Sequence, residues 1–181
     1  LFITIIGSFS KSDVILHLPK RHYEKISVKN DDGFIDLSKA TALHFDLESD
    51  NGKIITDDIT GELLHAETSN GRIILSNMRV NEVEASTSNG RIISENSEAL
   101  KFKFDTDNGR IELKNVHGSI DARTQNGRIE AEMNIVRHSM KLRTANGSIK
   151  LTSPEKLDNI TILAETAWGG STIYNESTKS Y

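Results

Sequence analysis

An Asn-Gly dipeptide that recurs about every 19 residues constrains the fold of this chain more than any other feature. It stands at 51–52, 70–71, 89–90, 108–109, 126–127 and 146–147, after an Asp-Gly at 32–33. The glycines are Gly33, Gly52, Gly71, Gly90, Gly109, Gly127 and Gly147, with spacings of 19, 19, 19, 19, 18 and 20 residues. A period of this length indicates structural units that stack on one another.

Apolar and polar side chains alternate on both sides of each Asn-Gly. Around Gly71, for example, Leu64, Ala66, Ile73 and Leu75 are apolar, and the residues between them are mostly polar. A period of two predicts β-strands with one buried face. Because Asn and Gly both tolerate positive φ, we expect a left-handed backbone at each Asn-Gly corner.

Two all-β architectures fit a strand, an Asn-Gly corner and a second strand in each unit. Asn-Gly is a strong hairpin signal, so a train of antiparallel hairpins is the alternative. We favour a single-stranded β-solenoid of about seven to eight coils, because each position holds the same residue type in consecutive units. The prediction is one domain over residues 1–181, with repeats at 24–170 and terminal caps at 1–23 and 171–181.

Several motifs accompany the repeat, namely the stretch 15–20, Tyr23, the strand 26–28 and the T-x-N-G-R-I units at 68–73, 87–92, 106–111 and 124–129. Together they resemble the bacterial DUF4097 family, which is related to the toastrack β-domains and includes LiaG-like and YvlB-like envelope-stress proteins of Gram-positive bacteria. The resemblance implies a right-handed β-helix of adhesin type, often beside a membrane anchor, with no catalytic residues to carry over. Ser148 replaces the arginine of earlier units, and Trp168-Gly169 replaces Asn-Gly in the eighth.

Composition narrows the functional classes. The net charge of −4 is unfavourable for nucleic-acid binding. The absence of cysteine excludes disulfides, thiolate metal sites and a cysteine nucleophile. The apolar residues 1–6 are too few to span a bilayer, and they predict a first β-strand or the remaining part of a membrane anchor. We expect an extracytoplasmic, cell-surface or membrane-anchored protein, although a cytoplasmic location fits the same chemistry.

A column of cations directly follows the corner glycines. Its arginines are Arg72, Arg91, Arg110 and Arg128. One hypothesis is that they bind an anionic envelope polymer through their planar guanidinium groups. The alternative is that they pair with neighbouring acids such as Glu67 and Asp105, which contributes about 0–1 kcal/mol for each exposed pair.

Three residues after the glycines of adjacent units stand Ile55, Ile74 and Ile93. Their parity places them on the outer surface, where a contiguous apolar stripe indicates a contact surface. We expect this stripe to contact another protein or a second copy, or to be covered by the chain itself.

Other constellations are weaker. The stretch 105–109 resembles the start of a calcium loop, but its glycine comes one position early. The six histidines, His17, His22, His44, His65, His117 and His138, share no column. Glu112 with Glu130, or Glu48 with Glu67, could act as a carboxylate pair of a glycan-active enzyme. Trp168 is interpreted as a cap over the core, with sugar stacking as the alternative.

The sequence therefore predicts a non-enzymatic envelope domain without a cofactor or metal, which binds an anionic polymer or a protein through its side-chain columns. The second hypothesis is an oligomerisation or signalling module of an envelope-stress system. A surface glycan-active enzyme comes third.

Overall fold

The computed structural model describes residues 1–7, 19, 21–155, 157 and 160–175. In this part of the chain every regular element is a β-strand, and all pairing is parallel. The strands are β1 (Phe2–Gly7), β2 (Tyr23–Asn30), β3 (Ile35–Ser38), β4 (Thr41–Ser49), β5 (Ile54–Asp57), β6 (Thr60–Thr68), β7 (Ile73–Ser76), β8 (Arg79–Thr87), β9 (Ile92–Thr106), β10 (Ile111–Thr124), β11 (Ile129–Glu132), β12 (Met140–Asn146), β13 (Ile149–Ser153), β14 (Ile162–Trp168) and β15 (Ser171–Asn175).

The strands build a β-solenoid of about eight coils with a spacing of about 19 residues, as predicted. Strands before the corner form the long sheet, in the order β1-β2-β4-β6-β8, then the second halves of β9 and β10, then β12 and β14. Strands after the corner form the short sheet, from β3, β5 and β7 through the first halves of β9 and β10 to β11, β13 and β15. Parallel pairing rules out the hairpin train, while the right-handed sense stays a prediction.

Equivalent positions of consecutive coils lie side by side, and the apolar ones form the core. Phe45 pairs in register with Leu64, Leu64 with Val83, and Val83 with Phe102. The isoleucine two residues after the corner glycine is fully buried in Ile54, Ile73, Ile92, Ile111 and Ile129. Burial of such a side chain contributes about 1.5–3 kcal/mol, which no single coil could obtain without its neighbours.

Close packing, and not positive φ, explains the glycine of the Asn-Gly corner, so the left-handed backbone expected there is wrong. None of the six Asn-Gly pairs has positive φ. A Cβ on Gly71 would overlap the carbonyl oxygen of Gly52 in the coil below, and a Cβ on Gly90 would overlap that of Gly71. Each corner therefore requires glycine because two backbones meet there.

Threonine and asparagine side chains join the corners of adjacent coils. The Thr68 hydroxyl accepts from Gly71 N at 3.1 Å and donates to the Gly52 carbonyl at 3.0 Å. Asparagine amides form a one-directional ladder, in which each Nδ2 donates to the Oδ1 of the preceding rung. The donor-to-acceptor distances are 2.9 Å for Asn51 to Asp32, 2.8 Å for Asn70 to Asn51, 2.8 Å for Asn89 to Asn70, 2.9 Å for Asn108 to Asn89, 2.9 Å for Asn126 to Asn108 and 2.8 Å for Asn146 to Asn126.

A second corner closes the short strands, and the sequence reading missed it. It is the left-handed position, with φ of 48–54°, six residues after each of the first five corner glycines, at Lys39, Asp58, Asn77, Asn96 and Asn115. Asn and Asp are the non-glycine residues that tolerate this conformation best. The mixed identity of the column hid it in the sequence.

The first strand predicted from residues 1–6 is confirmed. Strand β1 pairs with β2, with Ile3 beside Ile26. Parts of the sequence predictions lie outside the described residues, namely His17, positions 15–18 and 20 of the family motif, and positions 176–181 of the C-terminal cap. Across the described part of the chain, no helix has the length and apolar character needed to cross a membrane.

Candidate functional site

The outer face of the short sheet carries both predicted columns. Positions two and four after the glycine point into the core, as Ile73 and Leu75 do, so positions one, three and five point outward. The third position runs in register from Ile55 through Ile74 and Ile93 to Glu112, and then to Glu130 and Lys150. Adjacent members lie at the strand spacing of about 4.8 Å.

Ion pairs neutralise this face in its later coils, and we call the region from Arg110 through Arg128 to Lys150 the ion-paired half. Arg110 lies 3.3 Å from Glu112 and 3.8 Å from Glu130. Arg128 lies 3.0 Å from Glu130, and Arg91 lies 3.4 Å from Glu112. Three of the four predicted binding arginines are therefore occupied by acids of the same face.

The prediction that these arginines pair with acids such as Glu67 and Asp105 is wrong, because their partners are Glu112 and Glu130. Glu67 and Asp105 both stand before the corner, on the long sheet, whereas the arginines stand after it. A side chain two residues along the same strand lies on the same face, which is why Glu112 and Glu130 take the role. The guanidinium of Arg128 thus meets the acid of its own strand.

The earlier coils differ, and we call this region the apolar half, made of Lys53, Arg72, Ile55, Ile74 and Ile93. The three isoleucines are half-buried and stack in register. Among the described residues, neither Lys53 nor Arg72 has an ion pair or a side-chain hydrogen bond, and Arg72 is exposed. The same face therefore presents free cations beside an apolar stripe.

The carboxylates considered for catalysis are engaged in ion pairs. Glu112 and Glu130 line an open groove of about 400 Å³, together with Ile93, Lys114 and Lys150. Each of the two accepts a contact from at least two arginines. On the long sheet, Glu48 lies 2.6 Å from Lys29, and Glu67 lies 3.4 Å from His65.

Ion pairs also cover the outer face of the long sheet. Arg143 donates to both oxygens of Asp121, at 2.7 and 2.9 Å, and this raises the pKa of the Arg143 guanidinium. Burial raises the pKa of Asp105, and the attraction of Arg123 only partly opposes it. For Asp46, burial acts in the same direction, but the hydrogen bond and charge of Lys25 turn the net pKa shift downward.

No group of three or more histidine and carboxylate side chains that could hold a metal ion occurs in the described ranges. The calcium-like stretch 105–109 forms an ordinary corner, in which Asn108 belongs to the amide ladder. His65 lies 3.4 Å from Glu67 and 3.9 Å from Glu84.

Trp168 does not cover the core. It lies beside Asn146 at the last corner, one position before the glycine, where side chains point outward. Its side chain is 78% exposed, which contradicts the predicted cap and leaves an aromatic surface at this corner.

The family model described as Toastrack DUF4097 matches residues 1–181 and confirms the resemblance seen in the sequence. Neither the curated proteins nor the solved structures include a match to this chain.

Proposed function

Because the chain belongs to the Toastrack DUF4097 family, a group of bacterial repeat domains, we propose that it is a non-enzymatic interaction domain of the cell envelope. The observation that carries the proposal is the apolar half, where free cations run beside a half-buried apolar stripe on the outer face of the parallel stack. A contiguous apolar stripe rimmed by charge is typical of a contact site.

The ion pairs on the face argue against glycan hydrolysis. A glycosidase needs one carboxyl group that keeps a proton at neutral pH and a second that attacks or activates water. Two arginines contact Glu112 and two contact Glu130, so neither carboxylate is free to turn toward a sugar. If the wild-type protein hydrolyses surface glycans and Glu112→Gln does not, this part of the proposal is overturned.

The first ligand class is an anionic envelope polymer bound along the cation column, which is the adhesin-type role. Arg72 and Lys53 are available without breaking an ion pair, and the planar guanidinium suits phosphate or carboxylate groups. Arg91 continues the column by one coil, but it already lies 3.4 Å from Glu112. The three side chains offer positive charges about 4.8 Å apart along the stack.

Titration with inorganic polyphosphate tests this role. We expect Arg72→Ser to weaken binding roughly tenfold, because one charge-assisted contact is lost. The matched control is Arg128→Ser, the same substitution in the same column, where Glu130 already occupies the guanidinium. Equal losses in the two variants, or no binding by the wild-type protein, would contradict the proposal.

The second candidate is a protein contact through Ile55, Ile74 and Ile93, as in an oligomerisation or signalling module of an envelope-stress system. The half-buried stripe favours it, because three isoleucines stack in register on the outer face of the sheet. An envelope location, on the outer side of the membrane or anchored to it, completes the proposal. Protease accessibility on intact cells tests the location, and protection of the chain until the cells are lysed would contradict it.

A further inference from the structure

The outer face of the short sheet carries a third column, five residues after the glycine. In the coils of the apolar half this column consists of Asp57, Ser76 and Glu95, which pair in register. Glu95 is exposed, and Asp57 accepts one hydrogen bond, from Asn77 at 2.7 Å. Across the strands, the face therefore runs from a cationic edge through an apolar centre to an acidic edge.

This order makes the face self-complementary in one orientation. When two copies meet face to face about a two-fold axis parallel to the stack, the order across the strands reverses, and the order of coils is kept. Lys53 then opposes Asp57 of the second copy, Arg91 opposes Glu95, and the isoleucine column opposes itself. A two-fold axis along the strands instead places cations against cations, which is repulsive.

From this charge pattern, we propose that the apolar half docks a second copy of this chain, with the two stacks parallel. The proposal rests on the contact surface assigned under the proposed function, and it names the partner. A polyanion would satisfy only the cationic edge and would meet the acidic edge of the same face. A second copy engages all three columns at once, in the isologous manner of a two-fold interface.

The same geometry sets the limits of the contact. Beyond Ile93, the two-fold axis would place Glu112 against Glu112 and Glu130 against Glu130 of the second copy. The contact therefore ends after three coils, about 14 Å along the stack and about 13 Å along the strands. The area of this patch is far below the roughly 800 Å² that each partner buries in a standard interface. The dimer is therefore weak and forms at high local concentration.

Single-cysteine cross-linking tests the orientation, since the chain has no cysteine of its own. Ile55→Cys, Ile74→Cys and Ile93→Cys are each treated with a short thiol-to-thiol reagent. We expect like positions to link, with Ile74→Cys giving the highest yield. A mixture of Ile55→Cys and Ile93→Cys copies should link mainly within each type. Lys150→Cys, in the same column of the ion-paired half, is the control and should stay monomeric.

Two results of this experiment would overturn the proposal. Mixed links between Ile55→Cys and Ile93→Cys copies in excess of like links would mean antiparallel stacks. Equal yields at Lys150→Cys and Ile74→Cys would mean random collision. A far-ultraviolet circular dichroism spectrum matching wild type confirms that each variant is folded before its yield is read.

Charge reversal tests the pairing of the edges. In the Ile74→Cys background, Glu95→Lys places a cation opposite Arg91 of the second copy, and we expect the cross-link yield to fall several-fold. Adding Arg91→Glu restores an opposite pair and should restore the yield. An unchanged yield in Glu95→Lys, or a yield that stays low in the double variant, counts against the proposal.

The dimer and the polyanion site can fail separately. Arg72 opposes the neutral Ser76 in the dimer, so Arg72→Ser should weaken polyphosphate binding roughly tenfold and keep the Ile74→Cys cross-link. If Ile74→Cys does not cross-link while the wild-type protein binds polyphosphate, the dimer alone is overturned. If Ile74→Cys cross-links while the wild-type protein does not bind polyphosphate, the polyanion site alone is overturned.

Discussion

The Asn-Gly corner and the outer face of the short sheet belong to the same coils but vary very differently. At the corner, glycine, asparagine and threonine recur because backbone meets backbone and each side chain bonds the next coil. On the outer face, the same register position changes from Ile93 to Glu112 between adjacent coils. The corner therefore builds the stack, while the outer face is free to carry the interaction.

The largest effect should come from placing a methyl group at the corner. Gly90→Ala forces a Cβ against the carbonyl oxygen of Gly71, so the two coils must separate locally. We expect a loss of about 3 kcal/mol, or a melting temperature lower by roughly 6–12 °C. Thermal unfolding measures it. Gly170→Ala is the control, because nothing lies within 4 Å of its Cβ. Equal melting of the two variants would refute the close-packing explanation.

The amide ladder should show a smaller effect with a defined pH dependence. Asn89→Asp can no longer donate to Asn70, and two acceptors then face each other, at a cost of about 1–2 kcal/mol. Protonation below roughly pH 4 restores a donor and should reduce the difference. Chemical denaturation at pH 7 and pH 3 measures it.

Asp32 provides the matched control for the ladder. It is the last acceptor, receives a hydrogen bond from Asn51 and has no rung to which it must donate. Asp32→Asn should therefore change stability by less than about 0.5 kcal/mol. A loss as large as that of Asn89→Asp would show that direction in the ladder does not matter.

On the outer face, substitutions should change binding more than folding. Glu112→Gln removes the acid shared by Arg91 and Arg110, and loss of exposed ion pairs costs less than about 1 kcal/mol. It also frees Arg91, which is next to Arg72 in the column, and leaves Arg110 with its 3.8 Å contact to Glu130. We expect polyphosphate binding to strengthen several-fold while the melting temperature stays close to that of wild type. Unchanged polyphosphate binding would contradict the statement that Glu112 keeps the neighbouring arginines from binding a polyanion.

The smallest effect concerns Asp105 on the long sheet. Because burial raises its pKa, its charged form opposes folding at neutral pH, and this opposition disappears as pH falls through the raised pKa. Asp105→Asn should be slightly more stable than wild type at pH 7, with the difference vanishing in acid. Urea denaturation across pH 3–7 measures it, and a variant less stable at pH 7 would contradict the assignment.

The sequence predicted the parts of the molecule that repeat in identity. The buried column of Ile73 and the spacing of Gly71 required strands, corners and stacking, whatever the details of the fold. The second corner escaped because its left-handed backbone accepts Lys39, Asp58 and Asn77 alike. The partner of Arg110 escaped because it depends on which side of the corner an acid stands, and this becomes clear only once the two sheets are assigned.

Converting the apolar half into a second ion-paired region changes the outer face and leaves the corners intact. In the double variant Ile74→Glu/Ile93→Glu, each new acid lies beside Arg72 or Arg91, as Glu112 does beside Arg110. Polyphosphate titration of this variant, folded by circular dichroism, should show a loss of binding of tenfold or more. Binding equal to that of wild type would contradict the account.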